Sequence, residues 1–226
     1  MTSSSWKNRS VTPQPSPGSG PWSNDDTDLL AILEQSKEHG FLGPGPVVFH
    51  VEHAGGFGAI LGEAGRVLDL GSGGGVPGLV LARAHPDVHF TLVDAMVRRT
   101  TFLSWAAMSL GMADRVDVVT GRAEELARRE DLAGSFDLVV TRSFGPPGVT
   151  AECAVGFLRP GGKLVVSEPP TDEASRWPRH GLALLGLVAV EKVSSGSASL
   201  QVMQLTGELD SRYPRRVGVP AKRPLF

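Results

Sequence analysis

The sequence predicts an α/β fold in which a mostly parallel sheet is covered by helices on both faces. From Arg66 onward, short apolar runs alternate with stretches of helical periodicity about every 20 to 25 residues, which is typical of strand–helix–strand units. A glycine cluster follows the first apolar run, where a tight strand-to-helix turn favours residues without a Cβ atom. With 226 residues, of which 41% are hydrophobic and 20% charged, the chain can bury the core of one domain.

The composition excludes several classes of protein. A single cysteine rules out a disulfide scaffold and a cysteine-built zinc site, and it suits a reducing compartment. No apolar run reaches the roughly 18 residues of a membrane helix, and no signal sequence opens the chain, so we expect a cytoplasmic protein with no membrane partner. The formal net charge is −2, so any nucleic-acid binding must come from a local basic patch.

The chain divides into three parts. Residues 1–24 are rich in Ser and Pro and poor in aliphatic side chains, which predicts a disordered tail. Residues 25–62 are predicted to be a helical extension, in which a first helix ends near Gly40 and a short one lies near 51–61. The α/β domain is predicted to occupy residues 63–226.

Within the α/β domain the apolar periodicity assigns each element in turn. Strands are predicted at 67–70, 89–95, 116–121, 136–144 and 163–168. Helices are predicted at 77–85, 97–112, 123–130 and 149–158. The closing stretches, 182–193 and 199–207, are predicted to be a pair of helices or a pair of strands.

The glycine cluster lies in the segment DLGSGGGVPG, residues 69–78. Its glycines allow left-handed turns and let a ligand approach the backbone, and the helix that follows presents unpaired N–H groups. Asp94 ends the next strand, where a carboxylate can accept hydrogen bonds from both hydroxyls of a ribose. Together these features predict a nucleoside-containing ligand, although such a turn also occurs for tight packing alone.

Two nucleoside ligands fit this segment. Gly73 to Gly78 formally match the G-x-G-x-x-G pattern of dinucleotide oxidoreductases, but no Tyr-x-x-x-Lys pair follows, since Tyr213 is the only tyrosine. Asp69 next to the loop suits the ammonium or sulfonium of S-adenosylmethionine better than it suits a phosphate. S-adenosylmethionine is therefore the predicted cofactor.

Several blocks of the sequence carry a family resemblance. They are VLDLGSGGGVPGLVLA, FTLVDAMVRRTTFLSWAAMSLG, VVTGRAEEL, FDLVVTRSF, FLRPGGKLVV and the closing YPRRVGVPAKRPL. In these blocks the chain resembles the bacterial glucose-inhibited-division-B family, whose members methylate guanine N7 in small-subunit ribosomal RNA. The resemblance implies a class I methyltransferase (Rossmann-like) fold with a seven-stranded sheet, and 16S ribosomal RNA or the small ribosomal subunit as partner. We also expect the protein to act as a monomer.

The resemblance also implies a role for individual residues. The cofactor loop would be formed by Gly71, Gly73, Gly75 and Val76, beside Asp69. Asp94 would hold the ribose, Ala123 and Glu124 would flank the adenine, and Arg142 would face the cofactor or the target base. In the basic segment 212–226, the predicted RNA contacts are Arg215, Arg216, Lys222 and Arg223.

The chain departs from the family pattern at the predicted substrate mouth. The differences fall at residues 40–48, at 53–56 and at 167–170, where Glu168 stands in place of a lysine and would repel phosphate. Two alternatives therefore stay open: a methyltransferase of this fold acting on a small molecule or protein, and a non-catalytic cofactor-binding protein.

Other chemistry-bearing residues are given lesser roles. His50, Glu52 and His53 have irregular spacing and no third ligand, so no metal site is predicted. Cys153 lies in an apolar helical stretch and is predicted to be a buried small side chain. No catalytic residue is assigned, because guanine N7 carries a free lone pair and needs no general base.

Overall fold

A computed structural model describes residues 26–169 and 176–226. The predicted disordered tail, residues 1–24, lies outside the described residues. The described chain forms eight helices: α1 (Thr27–Glu38), α2 (Val47–Leu61), α3 (Gly78–Ala84), α4 (Val97–Ser109), α5 (Ala123–Leu126), α6 (Pro147–Val155), α7 (Arg179–Ala183) and α8 (Val219–Lys222). It also forms seven strands: β1 (Arg66–Leu70), β2 (His89–Asp94), β3 (Val116–Thr120), β4 (Phe136–Thr141), β5 (Leu158–Glu168), β6 (Leu187–Ser195) and β7 (Ala198–Leu205).

The strands make one sheet in the order β3-β2-β1-β4-β5-β7-β6. The first five strands in this order run parallel to their neighbours, and β7 runs antiparallel to both β5 and β6. Parallel strands end at the same edge of a sheet, so the loops that follow β1 to β5 meet on one side. The predicted mostly parallel, seven-stranded sheet is confirmed.

Two apolar clusters cover the two faces of the sheet. One cluster packs side chains of α1, α2, α3 and α4 against the sheet, with Leu33, Phe57 and Leu103 fully buried among them. The other packs α5, α6 and α7 with the C-terminal segment, around Phe136 and Phe157. Both faces are therefore sealed, and ligands must approach the edges of the sheet.

The closing pair, predicted to be either helices or strands, consists of strands, since β6 and β7 form an antiparallel hairpin. Several other elements differ in their bounds from the sequence prediction. Helix α2 begins at Val47, earlier than expected from a glycine-rich stretch. Glycine in this helix allows its backbone to pack closely against the β6–β7 hairpin, since a Cβ atom on Gly56 would lie 2.5 Å from the Ala198 methyl group. Strand β4 ends at Thr141, before the predicted end at 144, and β5 begins at Leu158, before the predicted start at 163.

The C-terminal segment is held against α6. The buried carboxylate of Glu152 accepts hydrogen bonds from the backbone N–H of Arg215 (2.9 Å) and from its guanidinium (2.6 and 2.8 Å). Phe226 lies against Gly148 and Gly181, where a Cβ atom would collide with it. The end of the chain is thus part of the folded domain.

Candidate active site

A cavity of about 300 Å³ opens at the carboxyl ends of β1, β2, β3 and β4. This cofactor cavity, as it is called below, is lined by Leu70, Gly71, Val93, Asp94, Ala95, Met96, Arg99, Gly121, Arg122, Ala123, Glu124, Ser143 and Phe144. Four of the predicted cofactor residues, Gly71, Asp94, Ala123 and Glu124, therefore come together in one wall.

Asp94 joins the cofactor cavity to the glycine turn. Its Oδ2 accepts a hydrogen bond from the Gly73 N–H (3.0 Å) and forms an ion pair with Arg99 (3.3 Å). Its Oδ1 accepts a hydrogen bond from the Met96 N–H (2.9 Å). These donors fix the plane of a carboxylate that is 5% exposed. Asp94 is thus oriented at the cavity wall, where it can still accept hydrogen bonds from ligand hydroxyls.

Gly71 and Phe144 form the wall between β1 and β4. Gly71 has φ +74°, and a Cβ atom there would lie 2.7 Å from the Phe144 ring. Ser143 has φ 56°, a left-handed conformation that turns the chain after β4 and brings the Phe144 ring over Gly71. The absence of a side chain at Gly71 is what allows this close approach.

Asp69 lies beneath the loop and is fully buried. Its Oδ2 accepts the Gly78 N–H (3.0 Å), while Oδ1 has no hydrogen-bond partner among the described residues. Burial raises the pKa of Asp69 to about 7, although the Gly78 N–H acts to lower it. Asp69 thus holds the start of α3 from beneath the loop, directly before Leu70 and Gly71, which line the cavity.

Arg142 follows β4 and contacts α2. Its Nη2 lies 2.5 Å from His50 Nδ1, and its Nη1 is buried without a partner among the described residues. Burial, and then the Arg142 charge, lower the pKa of His50, so the neutral imidazole accepts this hydrogen bond. The unpaired Nη1 fits a carboxylate such as that of a methionine moiety.

The neighbouring His53 is bound in the same way to β5. Its Nε2 lies 3.0 Å from the Ser167 hydroxyl. Burial, and then Arg142, lower the pKa of His53 to about 4, so it is neutral at physiological pH. Helix α2 is thus tied by His50 and His53 to the carboxyl ends of β4 and β5.

Glu124 links the cofactor cavity to the C-terminal segment. Its Oε1 accepts the backbone N–H of Gly218 (3.0 Å) and faces Arg122 (3.4 Å). Burial acts to raise the pKa of Glu124, but the Gly218 N–H and Arg122 outweigh it and hold this pKa below its usual value. The Glu124 carboxylate is therefore ionised beside Ala123.

The other loop residues face the protein interior. A Cβ atom on Gly75 would meet Leu79, and Val76 is a core residue that is 7% exposed. Gly74 accepts a hydrogen bond from the Ser36 hydroxyl on α1 (2.9 Å). Gly75 and Val76 therefore shape the loop from behind.

A second cavity, of about 310 Å³, adjoins the first at Ser143 and Phe144. The remaining residues that line it come from the loop after β4, the first turn of α6, the end of β5 and the segment before α7: Gly145, Pro147, Thr150, Val166, Ser167, Glu168, Pro169, Arg176 and Trp177. Because Ser143 and Phe144 line both cavities, the two cavities are direct neighbours at the carboxyl edge of the sheet.

The predicted RNA contacts differ in their surroundings. Arg216, Lys222 and Arg223 have exposed side chains, whereas the Arg215 guanidinium is bound to Glu152. The geometry therefore gives Arg215 a structural role, and leaves the other three available to a phosphate backbone.

The described residues offer neither a metal site nor a membrane-spanning helix. Within residues 26–169 and 176–226, no group of three or more His, Cys, Asp or Glu side chains could hold a metal ion. In the same residues, no helix combines the length and the hydropathy needed to cross a membrane. Cys153 is buried, and burial raises the pKa of its thiol to about 12.

The solved structures that resemble this chain show the class of protein. Cofactor-bound Rv0187 from MTB is 26% identical, with a TM-score of 0.57 over 81% of this chain and 92% of that one. The O-methyltransferase TomG from Streptomyces achromogenes, in complex with SAM, is 21% identical, with a TM-score of 0.56 over 81% and 92%. The fold is that of a class I S-adenosylmethionine-dependent methyltransferase.

The sequence comparisons show the family. The family model "GidB: rRNA small subunit methyltransferase G" matches residues 57–177. Ribosomal RNA small subunit methyltransferase G of Moorella thermoacetica is 33% identical over 72% of this chain and 70% of that protein. Its namesake from Deinococcus deserti is 37% identical over 71% and 68%. The chain belongs to the GidB family of methyltransferases.

Sequence reasoning missed part of the cavity. Arg99 and Met96 line it, because the first turn of α4 folds back over the Asp94 carboxylate. The sequence does contain a signal for this contact, because Arg99 follows Asp94, the acid that ends β2, by five positions. Ser143 was also missed, because no sequence pattern predicts a left-handed serine.

Proposed function

We propose that this protein transfers the methyl group of S-adenosylmethionine to N7 of a guanine in 16S ribosomal RNA, within the small ribosomal subunit in the cytoplasm. The pairing of a nucleoside-sized cavity with a second cavity across Phe144 carries this proposal, together with membership of the family. That the protein works as a monomer stays a prediction.

The cofactor cavity accounts for one half of the reaction. S-adenosylmethionine, when bound, supplies a methyl group activated by a sulfonium. Asp94 accepts the ribose hydroxyls, Ala123 and Glu124 flank the adenine, and the loop at Gly71 and Gly73 lets the cofactor lie against the backbone. Asp69 Oδ1 and Arg142 Nη1 are buried without a partner among the described residues; an ionised Asp69 would match an ammonium, and Arg142 would match a carboxylate.

Alignment is the main task of the protein in this chemistry. Methyl transfer is an in-line displacement, and a lone pair on N7 attacks without losing a proton, so no general base is needed. His50 and His53, both with lowered pKa values, hold Arg142 and Ser167 in place. Phe144 lies where the two cavities meet and limits the directions from which the base can approach.

The RNA backbone would be bound by the C-terminal segment. Arg216, Lys222 and Arg223 are exposed on this segment, which touches the cofactor cavity through the Gly218–Glu124 hydrogen bond. Cations close to the reacting groups can position a phosphate chain without reading its sequence.

A transfer assay tests the proposal. The protein is incubated with labelled methyl donor and, in parallel, with undermethylated small ribosomal subunits and with a metabolite extract. We expect the subunit RNA to take up label, and Asp94→Ala to abolish most of it. Label in the extract alone would establish the alternative small-molecule activity and overturn the ribosomal assignment.

A further inference from the structure

Glu168 occupies an unusual place in the second cavity. It is the last residue of β5, its side chain is 9% exposed, and its Oε1 pairs with Arg176 at 3.3 Å. It is the one acidic side chain among the described residues that line this cavity. A carboxylate in such a place either has only the structural role of pairing with Arg176, or it binds a ligand group that donates hydrogen bonds.

The chemistry of a carboxylate restricts what this cavity can hold. It repels a phosphate, so the RNA backbone is excluded from this wall. Its two oxygens match two adjacent N–H donors, and among the RNA bases guanine alone offers such a pair on its Watson–Crick edge, at N1 and N2. Adenine and cytosine each set an acceptor next to their amino group.

We propose that Glu168 binds the Watson–Crick edge of the acceptor guanine inside the second cavity, an inference that rests on the proposed function. The N1 and N2 donors lie across the purine from N7. Anchoring them at Glu168 therefore points N7 away from β5, toward the cavity that adjoins at Ser143 and Phe144. Recognition of the base and orientation of the attacking atom come from one contact.

The surrounding residues support this arrangement. Phe144 is half-buried between the cavities and offers a ring on which a base can stack. Arg176 is 37% exposed, so it can stay on the outer carboxylate oxygen or turn to solvent when the base enters. Ser167, held by His53, fixes the end of β5 from which Glu168 projects.

The test compares initial rates on undermethylated small subunits. Glu168→Gln keeps the shape but replaces an acceptor by an amide donor, and we expect kcat/KM to fall roughly 10- to 100-fold through lost charge-assisted hydrogen bonds. S-adenosylmethionine affinity, measured by calorimetry, stays at the wild-type value, because Glu168 lies outside the cofactor cavity. Glu191→Gln, an exposed acid on β6, is the charge-matched control and keeps the wild-type rate.

Arg176→Met separates recognition from the ion pair. It breaks the same pair but leaves the carboxylate, so we expect a loss of no more than about fivefold. An equal loss in Arg176→Met and Glu168→Gln would assign the effect to the ion pair and overturn the inference.

The remaining outcomes are also decisive. Wild-type rates in Glu168→Gln overturn this inference alone, whereas no labelling of subunits by the wild-type protein overturns the proposed function with it. If Glu168→Gln does not fold, Glu168→Ala replaces it, with the same expected loss of rate and the same unchanged cofactor affinity.

Discussion

The Asp94 carboxylate connects the ligand to the loop that surrounds it. Two backbone N–H groups and Arg99 already bind it, so its geometry is set before a cofactor arrives. Removing it takes away the acceptor for the ribose and loosens the turn at Gly73.

Asp94→Ala is therefore predicted to weaken S-adenosylmethionine binding by about 1–3 kcal/mol, the loss expected for charge-assisted hydrogen bonds. Isothermal calorimetry measures it. Asp117→Ala, an exposed carboxylate on β3, serves as the control and should bind normally. Unchanged affinity in Asp94→Ala would refute the ribose assignment.

Asp69 makes the stability of the protein depend on pH. Its pKa is about 7 in the folded chain, above the ordinary value of 3.8, so the folded state holds a proton that the unfolded state has lost. The contribution of this group to stability is therefore greatest at low pH, declines as the pH rises above about 4, and levels off above pH 7.

Asp69→Asn cannot ionise, so its stability relative to wild type should rise with pH. We expect the difference in unfolding free energy to shift in favour of the variant by roughly 2 kcal/mol between pH 5 and pH 8. Denaturant titrations at the two pH values measure this, with Asp117→Asn as the exposed control. A difference that stays constant with pH would be inconsistent with a buried, protonated Asp69.

At the scale of elements, the turn after β1 depends on Gly71. Its backbone is left-handed, and the Phe144 ring fills the space of a Cβ atom. Gly111, just after α4, has a similar φ of +68°, but no atom lies within 4 Å of where its Cβ would be. A substitution at Gly111 therefore measures the cost of the left-handed backbone alone, without a steric collision.

Gly111→Ala should cost about 1–2 kcal/mol of stability and leave cofactor binding intact. Gly71→Ala should cost more, and it should also reduce S-adenosylmethionine affinity because Phe144 must move. Thermal unfolding and calorimetry on both variants test this pair. Equal effects would mean that Phe144 does not constrain the cavity.

The elements that sequence predicts well are those with a local signal. The βαβ alternation, the glycine turn and the acid that ends β2 are all visible within a few residues, and Gly71 and Asp94, which these signals single out, line the same cavity. The hairpin β6–β7 was ambiguous because apolar runs of that length suit helix and strand alike. Helix α2 was predicted too short because its glycines are tolerated only through contact with β7.

The parts of the site that escaped prediction depend on distant contacts. Arg142 meets His50 across 92 residues of sequence, and Glu124 meets Gly218 across 94. No local pattern specifies such pairs, because the residues become neighbours only when the sheet has formed and the loops at the carboxyl ends of its strands meet. Arg215 is a further example. The basic composition of segment 212–226 predicted that it contacts RNA, but its guanidinium is bound to Glu152, which is distant in sequence.

At the scale of the whole molecule, the C-terminal segment combines anchoring with an exposed cationic surface. Arg215→Met would leave the buried Glu152 carboxylate without its ion-pair partner, although the backbone N–H of residue 215 still donates to it, and we expect a loss of about 3–5 kcal/mol of stability. Arg216→Met, one residue away and exposed, should keep full stability but weaken binding to small-subunit RNA and reduce its salt dependence. Denaturant unfolding and binding at several salt concentrations distinguish the two; equal stability of the variants would contradict the anchoring role.

The identity of the methylated atom tests the central claim most directly. Small-subunit RNA labelled by the protein is digested to nucleosides, and the labelled nucleoside is separated and identified. A site whose main task is to align N7 with the methyl group predicts that the label resides in 7-methylguanosine. Label on an exocyclic amine or a ribose hydroxyl, whose methylation requires removal of a proton, would contradict it.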